Sequence, residues 1–211
     1  MKSIPLLSLV FGSLLFGCNH KTQLRSETKI ITKDTTNSNN TKQDVIEIRN
    51  LIRNTLKWGD TCKSIDLLPA TFGKDSICTG FSIDTLNNNL EKLRKTGFFA
   101  DEFIENYDHI IRTLDKKIKN HQLEPWNVGE LPTFGFANDV SPWCSCQDNL
   151  SWDSVEVVPL KLAKNKGELK WNWGKAIRIA DPFSVKFKVV KVYGQWKIAY
   201  LDGFDYTEST K

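Results

Sequence analysis

The sequence predicts an α+β fold in which N-terminal helices pack on an antiparallel sheet. Two observations support this class. Apolar residues recur at helical spacing between Val45 and Ile118, whereas apolar and polar residues alternate from Ser154 onward, as they do in half-buried strands. Helices that precede a run of hairpin-connected strands are typical of an α+β domain.

Three helices are predicted in the first half of the chain. The first follows the capping box Thr41–Asp44 and ends at Gly59. The second spans Asp84–Lys95, and a glycine shortly after it ends it. The third spans Ala100–Lys119, with acidic residues in its first turn and lysines in its last, as the helix dipole favours. The segment 61–81 is predicted to be an irregular loop.

Strands are predicted in the last third of the chain. They are Val155–Val158, Glu168–Trp173 and Phe183–Tyr193. Gly194-Gln195 fits a two-residue hairpin turn with glycine in the first position, after which Trp196 and Ile198 return along one face of the sheet. The apolar residues of the preceding strand change parity at Val190, which indicates a bulge or a strand that is buried on both faces.

The first eighteen residues indicate an export leader. Lys2 precedes an apolar run from Ile4 to Phe16, which is shorter than the roughly 20 residues that a membrane-spanning helix needs. The run ends in Leu15-Phe16-Gly17-Cys18, which resembles the lipobox of bacterial lipoproteins. This resemblance implies cleavage before Cys18 and acylation of that cysteine, so that several acyl chains anchor the protein stably.

The predicted organisation is a signal peptide at residues 1–17, a lipidated cysteine with a flexible tether at 18–42, and one domain at 43–211. The tether is polar, lacks aromatic residues and would reach roughly 25–30 Å as a coil. Asn19 is not the aspartate associated with retention in the inner membrane. By the same resemblance, the protein is expected to be anchored to the outer membrane of a Gram-negative cell, facing the periplasm.

The charge balance argues against nucleic acid as a partner. The formal charge is +4, but the segment from Gln43 to Lys211 holds 23 basic and 23 acidic residues. The surplus positive charge lies in the leader and tether, where it would face an anionic membrane surface. A nucleic-acid-binding protein is expected to carry its surplus cations on the folded domain.

Four cysteines follow Cys18, and an even number in an oxidising compartment predicts disulfides. They are Cys62, Cys78, Cys144 and Cys146, which allow three pairings. We expect Cys144 and Cys146 each to pair with Cys62 or Cys78, because a bridge within Cys144-Ser145-Cys146 closes a very small, strained ring. No metal or other cofactor is predicted, since zinc requires closer cysteine spacing or more histidines.

Two short motifs and the order of the elements are similar to the nuclear-transport-factor-2-like superfamily. The motifs are Gln147-Asp148 after an aromatic loop and the terminal strand Trp196-Lys197-Ile198. More narrowly, the chain resembles the bacterial lipoproteins grouped as domain of unknown function 3828. The resemblance implies a strongly curved, cone-like sheet capped by helices. Some members of the superfamily are enzymes, and many are binding or accessory modules.

The mouth of such a cone is the default pocket, and a desolvated carboxylate there is the candidate general base. The candidates are Asp139, Asp148, Asp202 and Asp205. A structural interpretation also fits two of them. Asp148 is suited to closing a loop by accepting backbone N–H bonds, and Asp202-Gly203 to ending the last strand. His109 is predicted to face solvent, and His121 lies past the end of the third helix, so neither is expected to act in catalysis.

Three tryptophans, together with Asp148, are the candidates for a ligand-binding site. Trp171 and Trp173 fall on the same strand face, and Trp143 lies in the preceding aromatic loop. Exposed indoles of this kind stack on sugar rings or clasp a peptide. The alternative is that all of them complete the core of a small domain.

The sequence contains no nucleophile elbow, phosphate loop or paired metal motif. We therefore predict a lipid-anchored binding or accessory module whose partner is a protein, a peptide or an envelope glycan. One alternative is a small hydrolase or isomerase that uses a buried aspartate in the cone. Another is an immunity-type protein that blocks a toxin through the irregular 125–146 loop.

Overall fold

Helices and an antiparallel sheet make up the computed structural model, which confirms the α+β class. It describes residues 35–61, 64–148, 151–174 and 183–211, and Thr35–Lys211 forms one compact unit. Cys18, Cys62 and the predicted signal peptide lie outside the described residues. Within those ranges, no helix combines the length and the apolar character that crossing a membrane requires.

Three long helices occupy the first part of the unit: α1 (Thr35–Gly59), α2 (Ile83–Thr96) and α3 (Asp101–Lys119). The predicted ends of all three are confirmed except for the start of α1. The sequence predicted a tether through residue 42, but the helix already begins at Thr35. Once packing has formed the later turns, each added residue gains a hydrogen bond without a new nucleation cost, so even a polar segment extends the helix.

Side chains and glycine define the ends of α2. Ser82 is its N-cap, and the Ser82 Oγ accepts a hydrogen bond from the Thr85 N–H at 3.2 Å. Gly97 follows the last turn in the left-handed conformation, with φ of 72°, and its N–H donates to the Arg94 carbonyl. These caps explain why the sequence located this helix accurately.

The main sheet has four antiparallel strands in the order β3 (Glu156–Leu162), β4 (Lys166–Asn172), β5 (Val185–Val192) and β6 (Gln195–Leu201). A second, two-stranded sheet pairs β1 (Ala70–Phe72) with β2 (Cys78–Phe81) inside the predicted irregular loop. A short helix, α4 (Tyr206–Ser209), closes the chain behind the N-cap Asp205. The sequence did not predict β1, β2 or α4, since each is too short to show a periodicity.

The β5–β6 hairpin differs from its prediction by one residue. Val192 pairs with Gln195, so the two turn residues are Tyr193 and Gly194, not Gly194 and Gln195. Both have positive φ, 49° and 81°, as a type I′ turn requires. Tyr193 adopts this conformation while fully exposed, where its ring meets no steric conflict. A register shift does occur next to Lys188 and Val189, but these residues pair with Tyr200 and Ile198, so the extra residue is Ala199 on β6 and not the predicted bulge at Val190 on β5.

One face of the sheet packs on α1 and α3, and the core lies between them. The sheet contributes buried side chains at alternate positions: Leu169, Trp171, Val185, Phe187, Val189, Trp196 and Ile198. Aromatic rings fill the centre, where Phe103 stacks on Phe99 with ring centroids 4.5 Å apart and Phe204 lies 4.9 Å from Trp143. The β6 edge is covered, because the Ile198 N–H donates to the Phe98 carbonyl at 2.8 Å.

The predicted disulfide pairing is wrong. Cys144 is bonded to Cys146, with Cα atoms 5.1 Å apart, and Cys78 is a free, buried thiol on β2. A tight turn makes the short ring possible, because Ser145 adopts positive φ and its N–H donates to the Ser141 carbonyl at 2.7 Å. This turn brings the two Cα atoms into the usual range for a disulfide, which the sequence spacing alone did not reveal.

Candidate functional site

The tryptophans that the sequence offered as ligand-binding residues are buried. The exposed fractions of Trp171, Trp173 and Trp143 are 0%, 3% and 4%. Trp171 and Trp173 do share a strand face, but it is the inner face, and Trp173 also packs against Trp152 with ring centroids 4.9 Å apart. The interpretation as stacking surfaces is therefore wrong for all three rings. They complete the core instead.

None of the four candidate aspartates is desolvated. Asp139 and Asp148 are exposed in the loop before β3, where the Asp139 Oδ2 accepts a hydrogen bond from the Gln147 Nε2 at 2.6 Å. Asp202 is exposed at the end of β6, and Asp205 is the N-cap of α4. A fully buried carboxylate, which the enzyme alternative requires, is not found at any of these four positions.

Gly203 shows why the chain turns after Asp202. Its Cα lies so close to the backbone of Pro142 that a β-carbon has no room there. A glycine at this position lets the end of β6 pack against the loop that carries Trp143. The predicted role of Asp202-Gly203 in ending the last strand is thereby confirmed, as residues 202–204 form a single 3-10 turn.

A cleft of about 410 Å³ lies beside the β1–β2 hairpin. Its walls include Ile77, Cys78, Leu123, Trp126 and Phe134, and His121 stands at its rim. Burial raises the pKa of the Cys78 thiol. A hydrogen bond to the Gly80 carbonyl lowers this pKa and the nearby Asp115 carboxylate raises it, so that the net shift is upward. A thiol of this kind is a poor nucleophile.

The histidines form no catalytic pair within the described ranges. His109 is exposed on α3, as predicted, and its ring stacks on Tyr206 at 4.6 Å. His121 is exposed beyond the end of the same helix. Across the part of the chain that the structure describes, no group of three or more histidine, cysteine, aspartate or glutamate side chains is arranged to hold a metal ion.

The outer face of the main sheet is the most distinctive surface. Between Glu156 and Leu201, the described residues include eight lysines against two glutamates. Six of these lysines have outward-facing side chains, because they alternate with buried residues along a strand or pair with outward-facing residues of the neighbouring strand. We call the surface they form the lysine face: Lys161, Lys166, Lys170, Lys186, Lys188 and Lys197. Glu168 lies among them, and the other acidic residue of the described sheet, Glu156 at the start of β3, forms ion pairs with Arg49 and Arg53 of α1.

Cross-strand register places like charges side by side on the lysine face. Lys170 on β4 pairs directly with Lys186 on β5. Like charges at directly opposite positions destabilise a sheet. Lys188 has more favourable neighbours, since its Nζ lies 3.7 Å from the Glu168 carboxylate and 5.3 Å from the centre of the Tyr200 ring. The repulsion between Lys170 and Lys186 lowers the stability of the sheet, and a role in binding an anionic partner would explain why both lysines are present.

Tyr200 borders a shallow depression of about 400 Å³ on this face. Its hydroxyl donates to the carboxylates of Asp202 and Asp205, each at 3.2 Å. Partial burial and the two carboxylates raise the pKa of Tyr200, so that the phenol stays neutral and acts as a hydrogen-bond donor. The two aspartates that the sequence proposed as bases therefore hold a tyrosine in place at the rim of the lysine face.

One lysine at the end of the sheet has a half-buried acidic partner. The Asp44 Oδ1 on α1 accepts hydrogen bonds from the Lys191 Nζ and the Trp196 Nε1, each at 2.8 Å. Burial opposes ionisation of Asp44, but these two hydrogen bonds and the Lys191 charge outweigh it, and its pKa is lowered. This contact ties the first half of α1 to β5 and β6.

Sequence reasoning missed the lysine face because it summed charge over the whole domain. The signal was present in the alternation of Lys186 and Lys188 with apolar residues. Adding the lysines of neighbouring strands requires the register, which pairs Lys170 with Lys186 and Val190 with both Lys166 and Lys197. The fold and this surface together define an α+β protein with a basic, solvent-facing sheet.

Comparison with known proteins gives two similarities. No family model matches the sequence. Late genes activator p4 of Bacillus phage PZA is 24% identical to the chain over 91 residues, which are 41% of this chain and 72% of that protein. A protein of unknown function from Bacteroides thetaiotaomicron is 18% identical, with a TM-score of 0.37 over 79% of this chain and 96% of its own.

Proposed function

We propose that this protein is a lipid-anchored module of the bacterial cell envelope that binds an anionic partner through the lysine face. The anchor is the acylated Cys18 that the lipobox resemblance implies, and the outer membrane, facing the periplasm, is the proposed location. The partner is an envelope protein, peptide or glycan that carries phosphate or carboxylate groups. A cone-like curvature of the sheet and membership of the nuclear-transport-factor-2-like lipoproteins are part of this proposal.

The single observation that supports a binding role is the lysine face itself. Its six lysines are exposed or half-buried, with Glu168 among them and with Asp202 and Asp205 bordering Lys186 and Lys188 at the depression beside Tyr200. Such a surface attracts polyanions and loses this attraction as salt is added. The Lys170–Lys186 pair supports the same role, since a partner with negative charge would relieve the repulsion between the two side chains.

The enzyme alternative has less support. A hydrolase or isomerase of the predicted kind needs a buried aspartate, and the four candidates are exposed or cap a helix. The buried Cys78 thiol has a raised pKa. We therefore place the binding module ahead of an acid–base enzyme.

One observation favours an immunity-type inhibitor as a second candidate. Residues 120–155 hold five acidic residues and no lysine or arginine. Within this segment, Val128 and Leu131 are 56% and 57% exposed. An acidic loop with exposed aliphatic side chains is a suitable shape for the basic active site of a toxin. Loss of toxin protection when Leu131 is changed to aspartate would support this candidate over the lysine face.

The anchor is tested by growing cells with labelled palmitate and separating membranes from soluble protein. We expect the palmitate label and membrane association in the native protein, and no label in Cys18→Ser. Because Cys18 is also the predicted cleavage point, the absence of label is the deciding result for Cys18→Ser, and its thermal unfolding serves as the control for the folded domain. An intact protein that keeps an unmodified N-terminal methionine and stays soluble would overturn the proposed location.

Binding is tested by sedimenting the purified protein in detergent with washed, detergent-insoluble envelope fragments at low and high salt. We expect retention that falls with salt and with Lys170→Gln/Lys186→Gln. The matched control is Lys92→Gln/Lys116→Gln, which removes the same charge from exposed positions on α2 and α3. Equal retention of both double variants would contradict the proposal.

Duplex DNA is the competitor in the same assay, because the phage protein with partial similarity is named as an activator of late genes. The proposal places the lysine face outside the cytosol, with no nucleic-acid partner. We therefore expect DNA to displace the protein no better than another polyanion of equal charge. Stronger displacement by one DNA sequence would favour a DNA-binding function instead.

A further inference from the structure

We propose that the lysine face docks on the anionic lipid headgroups of the membrane that carries the anchor. The inference rests on the proposed lipid anchor and on the anion-binding role of the lysine face, and it assigns that face to the bilayer surface instead of a protein, peptide or glycan. In the docked state the outer sheet face lies against the membrane, and the helices face away from it. The acyl chains then act as one attachment and the sheet as a second.

The distribution of the lysines favours a surface over a single ligand. The lysine face draws on all four strands, which spreads its charges over about 14 Å across the sheet at a strand spacing of roughly 4.8 Å. The lysines do not converge on one enclosed site, and the depression beside Tyr200 is lined by both lysines and acids. An acceptor that matches this pattern must itself present many negative charges in a plane.

Exposed aliphatic side chains lie next to the lysines. Leu160 and Val158 on the edge strand β3 are 53% and 41% exposed, and Val158 pairs with Lys170. Aliphatic groups beside lysines are typical of surfaces that sit in the headgroup region, where the apolar atoms enter the acyl boundary and the ammonium groups stay at the phosphates. A soluble glycan or nucleic acid would leave Leu160 without a partner.

The path of the chain allows docking and anchoring at the same time. The chain enters the compact unit at Thr35, and nine residues later Asp44 binds Lys191 and Trp196 at the end of the sheet. The intervening helix is about 14 Å long. The tether is predicted over residues 18–42, and the part of it that precedes α1 would reach roughly 20–25 Å as a coil. The sheet is thus within reach of the membrane that holds Cys18.

Photo-crosslinking tests this orientation in the lipidated full-length protein. A photoreactive phenylalanine analogue replaces Leu160 on the sheet in one sample and Leu131 on the 120–155 segment in another. The two leucines have similar exposed fractions, 53% and 57%. Each protein is reconstituted into vesicles of phosphatidylcholine alone or with phosphatidylglycerol. We expect lipid adducts at residue 160 in the anionic vesicles, several-fold above residue 131.

Charge variants connect the adduct to the lysine face. Lys170→Gln/Lys186→Gln removes two cations near the surface and is expected to weaken docking by roughly thirty-fold. The control Lys92→Gln/Lys116→Gln should keep the adduct yield at residue 160. Thermal unfolding of each variant verifies that the fold is retained. Inorganic phosphate at equal ionic strength should compete no better than chloride, which distinguishes a headgroup surface from a site for free phosphate.

The outcomes separate this inference from the proposed function. Membrane docking would be overturned by equal adduct yields at residues 160 and 131. It would also be overturned if the yield at residue 160 were the same in vesicles with and without phosphatidylglycerol. Envelope binding with no lipid adduct would leave the binding module standing and assign the lysine face to a glycan or protein. Failure of the protein to enter vesicles at all would mean that the anchor is absent, and the proposed function would fail first.

Discussion

The outer face of the sheet and the 120–155 segment carry opposite charge within one domain. The described sheet region from Glu156 to Leu201 has eight lysines and two glutamates, while the 120–155 segment has five acids and no lysine or arginine. Summed over the domain these charges cancel. The comparison shows that a neutral composition hides two surfaces with opposite fields, each suited to a different partner.

The two regions are also held in different ways. The sheet relies on backbone ladders and on inward-facing side chains at every second position. The 120–155 segment has little regular structure and is held by buried side chains, among them Trp143, Phe134 and Phe136, and by backbone hydrogen bonds to the β1–β2 hairpin and to Ser209. Buried aromatic rings therefore position an acidic surface that has no strand ladder of its own.

The largest expected effect tests that dependence on buried aromatic rings. Trp143→Ala removes a ring that contacts Trp58, Phe99, Phe103 and Phe204, and it leaves a cavity. We expect the free energy of unfolding to fall by about 3–5 kcal/mol. Urea denaturation followed by circular dichroism measures it.

Tyr193→Ala serves as the control for Trp143→Ala. Tyr193 is a large aromatic residue in the β5–β6 turn with its side chain fully in solvent. We expect this change to alter the free energy of unfolding by no more than about 0.5 kcal/mol. A loss of stability in Trp143→Ala as small as that of the control would show that the 120–155 segment does not depend on its buried ring.

The intermediate effect concerns Lys191, the lysine with a half-buried acidic partner. Asp44→Asn replaces the carboxylate that binds Lys191 and Trp196, and the Asp44 side chain is 17% exposed. We expect the free energy of unfolding to fall by about 1–2 kcal/mol at pH 7. Because the pKa of Asp44 is lowered in the folded state, its contribution is complete above the ordinary value of 3.8 and is lost as the pH falls through the folded value.

The difference in the free energy of unfolding between wild type and Asp44→Asn should therefore become smaller as the pH is lowered. Asp153→Asn is the matched control, since Asp153 pairs with Lys57 at 2.6 Å on an exposed surface. We expect that change to have little effect on stability, because water screens the pair. A constant difference between wild type and Asp44→Asn from pH 7 to pH 2 would rule out the linkage.

The smallest effect is a gain in stability on the lysine face. Lys186→Glu places a negative charge directly opposite Lys170. We expect the free energy of unfolding to rise by about 0.2–1 kcal/mol. Membrane docking should become weaker. Lys188→Glu removes the same positive charge but faces Glu168, so its stability should fall. If both variants lose stability equally, the repulsion between Lys170 and Lys186 is not a feature of the folded protein.

Local signals account for the elements that were predicted well. Gly97 and the acidic first turn of α3 identify helix ends, and alternation in Phe183–Val189 identifies a strand, because these features act over a few residues. The errors have a common cause. The Tyr193-Gly194 turn, the Cys144–Cys146 bond and the burial of Trp171 each depend on how close distant or unusually folded residues come, which periodicity does not encode.

By itself, the sequence determined the α+β class, the ends of the three long helices apart from the start of α1, and which residues share a strand face, since these follow from caps, turns and periodicity along the chain. Tertiary structure decided which strand face meets the helices, and hence that Trp171 is core and Lys170 is surface. It also decided that lysines from four strands form one field. The physical reason is that burial and electrostatic potential sum over neighbours in space, and in a sheet most of those neighbours are remote in sequence.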